Sequence, residues 1–466
     1  MFFAPDMSVD TDLVDFARSS SFRHLARETK RNYATDIRLL LDFLWSRGKR
    51  WAEADAGDLR DYRHWRTKAS ANPGRVSGTK WNRELAAFTR LYAWAKGEGL
   101  VRAVPADVKR PEDRAPDSRS SRVSWLTPRT WRLWTNVGLR GWTSKGMVEP
   151  GWTSRTDERD AAFVRTMLSS GMRRQEAGSL LMFEVPRTPL SGGRYCHGML
   201  AGATTRTKAS RTVYLSTDAV EDIDAYIEGP RAWAVHRAHQ EGRYERLPMR
   251  RMITKVSAGL RQEVQWVDLD GVVGRAQLRD LTWDERRYLF MEGPEGPEPA
   301  WLWLNEQGMP FQLSSWETVF RRANQRCERV LRPPVSQMRD VHQRFAPYAT
   351  PHSCRHSFAL YMLVVLNHVL DRRYGLTPQE RRDFQQLYGD PWFLVQNLLG
   401  HRNREVTMQV YLAPVTHLGL TSMLEAAKDP LTSAPLPDHG LDATFARLAR
   451  ESSGIQDIDA ALAGAL

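Results

Sequence analysis

The chain has 466 residues, of which 41% are hydrophobic and 26% are charged. This length predicts two or three domains, and this composition excludes a wholly disordered protein. Basic residues outnumber acidic ones 67 to 55, which gives a net charge of +12 and favours a polyanionic partner, nucleic acid ahead of an anionic membrane. Most of the basic residues are arginines, whose planar guanidinium suits phosphate.

The cysteines and the N-terminal sequence indicate an intracellular protein. Cys196, Cys327 and Cys354 are too few for a secreted disulfide framework, and the absence of a Cys-x-x-Cys pair argues against a cysteine zinc site. The first residues lack the basic and apolar segments of a signal peptide. The longest apolar run, at 358–370, is interrupted by polar residues and is too short to cross a bilayer. We therefore expect a cytoplasmic protein without a membrane partner.

Residues 21–105 predict a helical domain, preceded by an N-terminal tail at 1–20. Apolar side chains recur at helical spacing from Tyr33 to Leu44 and again from Trp81 to Ala95. Basic residues lie between these two stripes. A solvated helix face explains any one of them, but together with the net charge they favour a surface that follows a DNA backbone. The candidates for this contact are Arg27, Lys30, Arg31, Lys80 and Arg83.

A proline-rich, charged linker at 106–122 separates this domain from a second one at 123–428. The second domain predicts mixed structure, because helical patterns near Asp160 and after Trp316 flank short strand-like runs between 198 and 215. The expected fold class is therefore mainly α with a small β-sheet. The segment 228–300 is rich in Arg and Glu, contains Gly-Pro clusters, and fits no single element.

The segment Thr350–His356 contains the most informative group of side chains. On a helix, His352, Arg355 and His356 would share one face. Two histidines four residues apart also fit a metal pair. The permanent cation between them opposes a divalent metal and favours an oxyanion, so we place phosphate ahead of metal here.

Two further segments give only weak evidence of function when each is taken alone. Arg173 follows the helix-breaking Gly171 and has Arg174 beside it, and its ordinary interpretation is a surface cation. His401 follows a glycine, and Tyr411 ends an apolar stretch ten positions later. A tyrosine in such a place is usually a core residue with a solvated hydroxyl.

Taken in this order, the segments resemble the tyrosine recombinases, also called phage integrases. That family carries an Arg, a Lys in a β-hairpin, a His-x-x-Arg, a Gly-His and a Tyr, in this sequence. The resemblance covers residues 20–425. It implies a helical core-binding domain of the SAM-like type, followed by a mixed α+β catalytic domain that cuts and rejoins DNA.

The resemblance also implies a role for each matching residue. Arg173 and Arg355 would neutralise the phosphate oxygens. His352 would accept or relay the tyrosine proton, and His401 would donate a hydrogen bond to the phosphate. Tyr411 would be the nucleophile that forms a 3′-phosphotyrosyl intermediate.

The resemblance assigns the general acid to a lysine, and two lysines are available. Only Lys208 and Lys255 lie between Arg173 and His352. Lys208 stands in a hairpin-like context similar to that of the family, and Lys255 is the alternative. In the same way, Arg174 is the alternative to the adjacent Arg173.

The chain departs from compact family members at several places. Its spacings indicate insertions near 228–300 and 365–392, and one extra residue separates His401 from Tyr411. By analogy with the family, the tail at 429–466 is a candidate for docking onto a neighbouring copy, with a disordered end as the equal alternative.

The expected function is site-specific recombination of DNA, as the integrase of a phage or another mobile element. The expected partners are double-stranded DNA, three further copies in a homo-tetramer, and an accessory directionality factor. No cofactor is expected, neither metal nor ATP. The alternatives are an Xer-like resolvase, a type IB topoisomerase, and a DNA-binding relative without catalytic activity.

Overall fold

The computed structural model describes two compact units, Met1–Ser121 and Arg122–Leu466. Each unit has its own hydrophobic core. The described residues are 7–116, 125–190, 193–257, 262–332, 346–368, 390–400, 445–446, 448–449 and 455–458.

The first unit is a helical bundle around an aromatic core. Its helices are α1 (Thr11–Arg18), α2 (Ser20–Arg23), α3 (Arg27–Trp45), α4 (Ala56–Thr67) and α5 (Gly78–Gly97). The two predicted apolar stripes lie on α3 and α5, which pack against each other. Tyr62 of α4 lies between them, with its ring 4.9 Å from that of Phe43 and 6.0 Å from that of Trp81. Aromatic contacts of this kind bury large apolar areas and so stabilise the unit.

A buried ion pair joins two of these helices. Arg66 Nη2 of α4 lies 2.6 Å from Glu84 Oε1 of α5, and both side chains are almost inaccessible to solvent. Arg66 also donates to the carbonyl oxygen of Gly74. Removing one partner of such a pair leaves an uncompensated buried charge, so each residue depends on the other.

Both ends of this unit are more ordered than the sequence predicts. Within the predicted tail at 1–20, α1 buries Leu13 and Phe16 in the core. Within the predicted linker at 106–122, the described residues pack on α5, and the Asp113 carbonyl oxygen accepts a bond from the Trp81 indole. In the tail, two apolar residues at helical spacing hold the helix against the core. In the linker, hydrogen bonds to the α5 surface hold residues whose composition resembles that of a linker.

The second unit is built around the helix Asp157–Ser170. Its helices are α6 (Pro128–Trp134), α7 (Asp157–Ser170), α8 (Arg174–Gly178), α9 (Thr217–Tyr226), α10 (Ala232–Gln240), α11 (Trp283–Arg286), α12 (Ser315–Leu331), α13 (Pro351–His368) and α14 (Pro391–Leu399). Helix α7 contacts α8, α9 and α13. Its Phe163 stacks on Trp316 of α12 with ring centroids 3.5 Å apart.

Strands form two sheets and one short pair. They are β1 (Trp125–Leu126), β2 (Thr188–Pro189), β3 (Tyr195–Leu200), β4 (Arg211–Ser216), β5 (Arg251–Val256), β6 (Glu263–Asp268), β7 (Val273–Gln277), β8 (Leu289–Gly293), β9 (Gly296–Pro299) and β10 (Ile455–Gln456). The first sheet has the antiparallel order β2-β3-β4, with Leu200 opposite Arg211 at the turn end of its main hairpin. The described structure is thus mainly α with small β-sheets, and the predicted fold class is confirmed.

The segment 228–300, which the sequence left unassigned, forms α10 and a five-stranded sheet. The strand order is β7-β6-β5-β8-β9, in which only β5 and β8 run parallel. A register shift between Ile253 and Lys255 interrupts the alternation of β5. Because a bulge breaks the period of two on which strand recognition depends, the sequence pattern is obscured. A buried ion pair between Arg231 and Glu298 ties the sheet to α10.

The described part of the tail 429–466 packs on its own unit. Strand β10 pairs in parallel with β1, and Asp457 accepts hydrogen bonds from Arg129. Phe445 is buried in a small apolar cluster with Trp125 and Leu360. The predicted insertion at 365–392 lies mostly outside the described residues.

The buried pair in the first unit predicts a large stability effect. We expect Glu84→Ala to lower the free energy of unfolding by about 3–5 kcal/mol, because it leaves the Arg66 guanidinium buried without its partner. The measurement is urea unfolding of the full chain followed by circular dichroism. Asp42→Ala is the control, since Asp42 pairs with Arg38 at the surface and should change stability by less than about 1 kcal/mol. Equal losses for the two variants would contradict this account.

Candidate active site

The turn after α7 positions the first site arginine. Helix α7 ends at Gly171, whose φ of +63° lies in the left-handed region. A Cβ on this residue would lie 2.3 Å from Phe358 Cδ1, so the backbone angle and the available space both require glycine. The turn makes Arg173 the N-cap of α8.

Glu176 holds Arg173 in place. Arg173 donates from its backbone N to Glu176 Oε2 at 2.8 Å and from Nη1 to Glu176 Oε1 at 2.9 Å. The carboxylate is buried, whereas 24% of the Arg173 side chain remains exposed. The guanidinium is therefore fixed on one side and accessible to a ligand on the other. Arg174, the alternative, forms an ion pair with Glu317 of α12.

Arg355 joins three helices at one point. It lies on α13 and is completely buried. Its Nη1 donates to the carbonyl oxygen of Gly171 and its Nη2 to that of Leu399. These carbonyls end α7 and α14, where oxygens without intrahelical partners carry partial negative charge. One guanidinium thus fixes the ends of two helices beside Arg173.

His352 lies one turn before Arg355 on α13. Burial, followed by the positive charges of Arg355, Arg173 and Arg206, lowers the pKa of His352 below its ordinary value of 6.5. The imidazole is therefore mostly neutral at neutral pH and can accept a proton. The electrostatic effect of these three arginines on the ring indicates a cluster of cations close to it.

His356 occupies a different environment from His352. The two rings are 5.0 Å apart, and the His356 ring packs edge-on against Trp125 at 5.8 Å. His356 is buried. Within the described ranges, no three His, Cys, Asp or Glu side chains are placed together to hold a metal ion.

The two candidate lysines lie in different sheets. Lys208 is in the turn before β4 with a φ of +56°, and its Nζ donates to the Ala203 carbonyl oxygen at 3.2 Å. Arg206 of the same turn acts on the pKa of His352, so this turn borders the cluster. Lys255 is exposed on β5 of the five-stranded sheet, opposite Gln265. This arrangement favours Lys208 over Lys255.

His401 and Tyr411 lie outside the described residues. The preceding Gly400 is described, and it ends α14 with a φ of +65°. A Cβ on Gly400 would lie 2.8 Å from Cδ of Arg211. The residue before His401 is therefore in close contact with β4 of the first sheet.

Sequence analysis missed Glu176 and Arg211 as members of the site. Arg211 Nη2 donates to Glu176 Oε2 at 2.8 Å. Glu176 had a detectable signal, since a Glu three residues after the N-cap is the spacing of a capping box. Arg211 had no such signal in the sequence, because an arginine at the end of a strand is not distinctive in an arginine-rich chain.

The first unit matches a known family. Residues 19–99 match the model described as the phage integrase N-terminal SAM-like domain. Over these residues the resemblance to the phage integrases is confirmed. Comparison with curated proteins gives no match.

Recombinases are among the solved structures that match this chain. XerA recombinase is 14% identical, with 86% of this chain and 92% of that chain covered and a TM-score of 0.29. XerH bound to a palindromic difH substrate, in a post-cleavage complex, is 13% identical, with 91% and 90% covered and a TM-score of 0.45. XerH bound to difH before cleavage is 12% identical, with 88% and 87% covered and a TM-score of 0.40.

The SAM-like domain uses some of its predicted DNA-binding cations internally. Lys80 Nζ lies 2.5 Å and Arg83 Nη2 lies 3.2 Å from Oδ1 of Asp36, which is buried. Arg31 is exposed on α3 and Lys30 is half-buried, while the side chain of Arg27 lies outside the described part.

No helix among the described residues is long and apolar enough to cross a membrane.

The turn at Gly171 predicts a specific steric effect. We expect Gly171→Ala to destabilise the protein by about 1–3 kcal/mol more than Gly146→Ala, because only the first methyl group meets a packed ring. Gly146 is the matched control, since its φ is +75° and a Cβ there would have no heavy atom within 4 Å. The measurement is denaturant unfolding of both variants. Equal destabilisation would show that the Phe358 contact is unimportant.

Proposed function

We propose that the protein is a site-specific DNA recombinase that cuts and rejoins DNA through Tyr411. The observation that carries this proposal is the convergence of Arg173, His352 and Arg355 at the turn of Gly171. Two segments distant in sequence, the turn after α7 and the start of α13, supply two guanidinium groups and a proton acceptor at one place. A SAM-like domain of the phage integrase type at 19–99 supports the same interpretation.

In the proposed reaction, the DNA phosphate is transferred from its 5′-oxygen to the tyrosine oxygen. The Tyr411 hydroxyl attacks the phosphorus, forms an oxygen–phosphorus bond, and gives its proton to neutral His352. The bond from phosphorus to the 5′-oxygen breaks, and Lys208 protonates that oxygen. The products are a 3′-phosphotyrosyl enzyme and a free 5′-hydroxyl. Attack by the 5′-hydroxyl of another strand reverses these steps, so joining needs no ATP.

Each residue type suits its step. A tyrosine hydroxyl with a pKa near 10 is mostly protonated at neutral pH, so a base is useful. Arg173 and Arg355 would neutralise the negative charge that grows on the phosphate oxygens in the transition state. For Arg355 this requires at least one N–H group of the guanidinium to turn away from the carbonyl oxygen that it now binds. His401 would donate a further hydrogen bond to the phosphate.

The cations on α3 of the SAM-like domain are proposed to follow the DNA backbone, namely the exposed Arg31 and the half-buried Lys30. Lys80 and Arg83 keep the buried Asp36 neutralised, so a contact with DNA would be a second role for them. The proposed biological role is integration or excision of a phage or other mobile element. Four copies on double-stranded DNA, and an accessory directionality factor, are proposed partners in the cytoplasm.

The experiment that tests the proposed function is covalent trapping. The protein is incubated in EDTA with nicked duplexes tiled from the DNA that flanks its own gene. We expect a protein–DNA adduct that survives SDS electrophoresis, because the two arginines and Lys208 supply the charge and the proton without a metal. Tyr411→Phe should bind the same DNA with an unchanged Kd and form no adduct. An adduct with Tyr411→Phe would refute the choice of nucleophile, and binding without any adduct would refute the enzymatic function.

The lowered pKa of His352 predicts the pH dependence of cleavage. Neutral imidazole is the active base, so the rate should fall as pH decreases through the pKa of His352. Because that pKa lies below 6.5, the acidic midpoint of the single-turnover rate should also lie below pH 6.5. His352→Gln should slow cleavage by about 10²–10⁴-fold and remove this acidic limb. A midpoint above pH 6.5, or an acidic limb that His352→Gln leaves unchanged, would contradict the role of His352.

A further inference from the structure

We infer that Arg211 is a positioning residue for the proposed phosphoryl transfer, and that it acts by holding the Glu176 carboxylate that fixes Arg173. This inference rests on the proposed function. Arg211 begins β4, and only 13% of its side chain is exposed. It lies far from Arg173 in sequence but shares with it a single buried carboxylate.

The Glu176 carboxylate connects the two arginines. Its Oε2 accepts hydrogen bonds from Arg211 Nη2 and from the backbone N of Arg173, both at 2.8 Å. Its Oε1 accepts from Arg173 Nη1 at 2.9 Å. A carboxylate held by one arginine alone could rotate about its last side-chain bond. Anchored by Arg211 from the sheet side, it presents Oε1 to Arg173 in one orientation.

The electrostatics support this connection. Burial by itself would raise the pKa of the Glu176 carboxyl, but the charges of Arg211, then Arg355 and Arg173, together with the Arg173 backbone hydrogen bond, lower it below its ordinary value. Among these opposing influences Arg211 has the largest effect. Without Arg211, the buried carboxylate would lose the main group that keeps it ionised, and Arg173 would lose part of its partner's charge.

Arg211 also contacts the turn that precedes His401. A Cβ on Gly400 would lie 2.8 Å from Arg211 Cδ and 3.0 Å from its Nε, so the arginine stem packs directly on this turn. The side chain therefore touches Glu176 on one side and the end of α14 on the other. A lysine would retain the charge near Glu176 but would lose the planar group that packs beside Gly400.

The test compares the single-turnover cleavage rate with the Kd for the same nicked duplex. We expect Arg211→Met to reduce the rate about 100-fold, because misplacement of a reacting group by about 1 Å has effects of that size. The Kd should change less than about threefold, since Arg211 is not proposed to bind DNA. Arg211→Lys should recover at least about tenfold of the lost rate by restoring the charge. Arg187→Met is the matched control, because Arg187 pairs with Asp224 at the surface, and it should leave both values unchanged.

A double-mutant cycle with Glu176→Gln tests the route of the effect. If Arg211 acts through Glu176, Arg211→Met should slow cleavage less than about threefold in the Glu176→Gln background. If the two residues acted independently, their rate reductions would multiply. A full 100-fold additional loss would overturn the inference. The inference would also be overturned if Arg211→Lys cleaved as slowly as Arg211→Met, or if Arg211→Met weakened binding and so raised the Kd.

A crystal structure of Arg211→Met gives a readout that does not depend on activity. We expect the Arg173 guanidinium to move by more than about 1 Å or to lose its Nη1 bond to Glu176. An unchanged Arg173–Glu176 contact would overturn the inference, even if the wild-type protein cleaves DNA. Failure of the wild-type protein to form an adduct would instead refute the proposed function, and the crystal structure would still decide the positioning role.

Discussion

The guanidinium of Arg355, which donates to the carbonyl oxygens at the ends of α7 and α14, is the contact on which the described part of the site depends. A charge without any solvent exposure is stable only when oxygens replace its hydration shell. Two helix ends supply such oxygens, and Gly171 and Gly400 allow the chain to turn immediately afterwards. The first turn leads to Arg173, and Gly400 directly precedes His401 in the sequence. A single buried cation thus organises residues from three separate segments.

Charge is unevenly distributed around this contact. Glu176, a buried carboxylate, faces the charges of Arg173, Arg211 and Arg355, and Arg206 adds a further positive charge near His352. The excess of positive charge is what a phosphodiester would neutralise, and together with burial, which is the larger cause, it lowers the pKa of His352. The first unit shows the opposite arrangement, since Lys80 and Arg83 meet the buried Asp36. Similar cations therefore have different roles according to whether an acidic partner is already present.

The ordered set of motifs in the sequence, through its resemblance to the tyrosine recombinases, singled out Arg173, His352 and Arg355, and the structure brings these three side chains near one another. Their chemical roles stay predictions, and the residues that support them were not predicted. Arg211 was missed, because its contact with Glu176 arises only when a sheet packs beside α8. The five-stranded sheet was missed because a bulge in β5 breaks the strand period. The order of α1 and of residues 106–116 depends on packing against other helices, which composition does not encode.

The most direct test of the central claim is to locate the residue that becomes joined to DNA. The trapped adduct would be digested with nuclease and protease, and the peptide that carries the nucleotide would be sequenced by tandem mass spectrometry. This account predicts a phosphodiester link between a 3′-nucleotide and the Tyr411 hydroxyl. A link to any other residue, or to a 5′-phosphate, would contradict it.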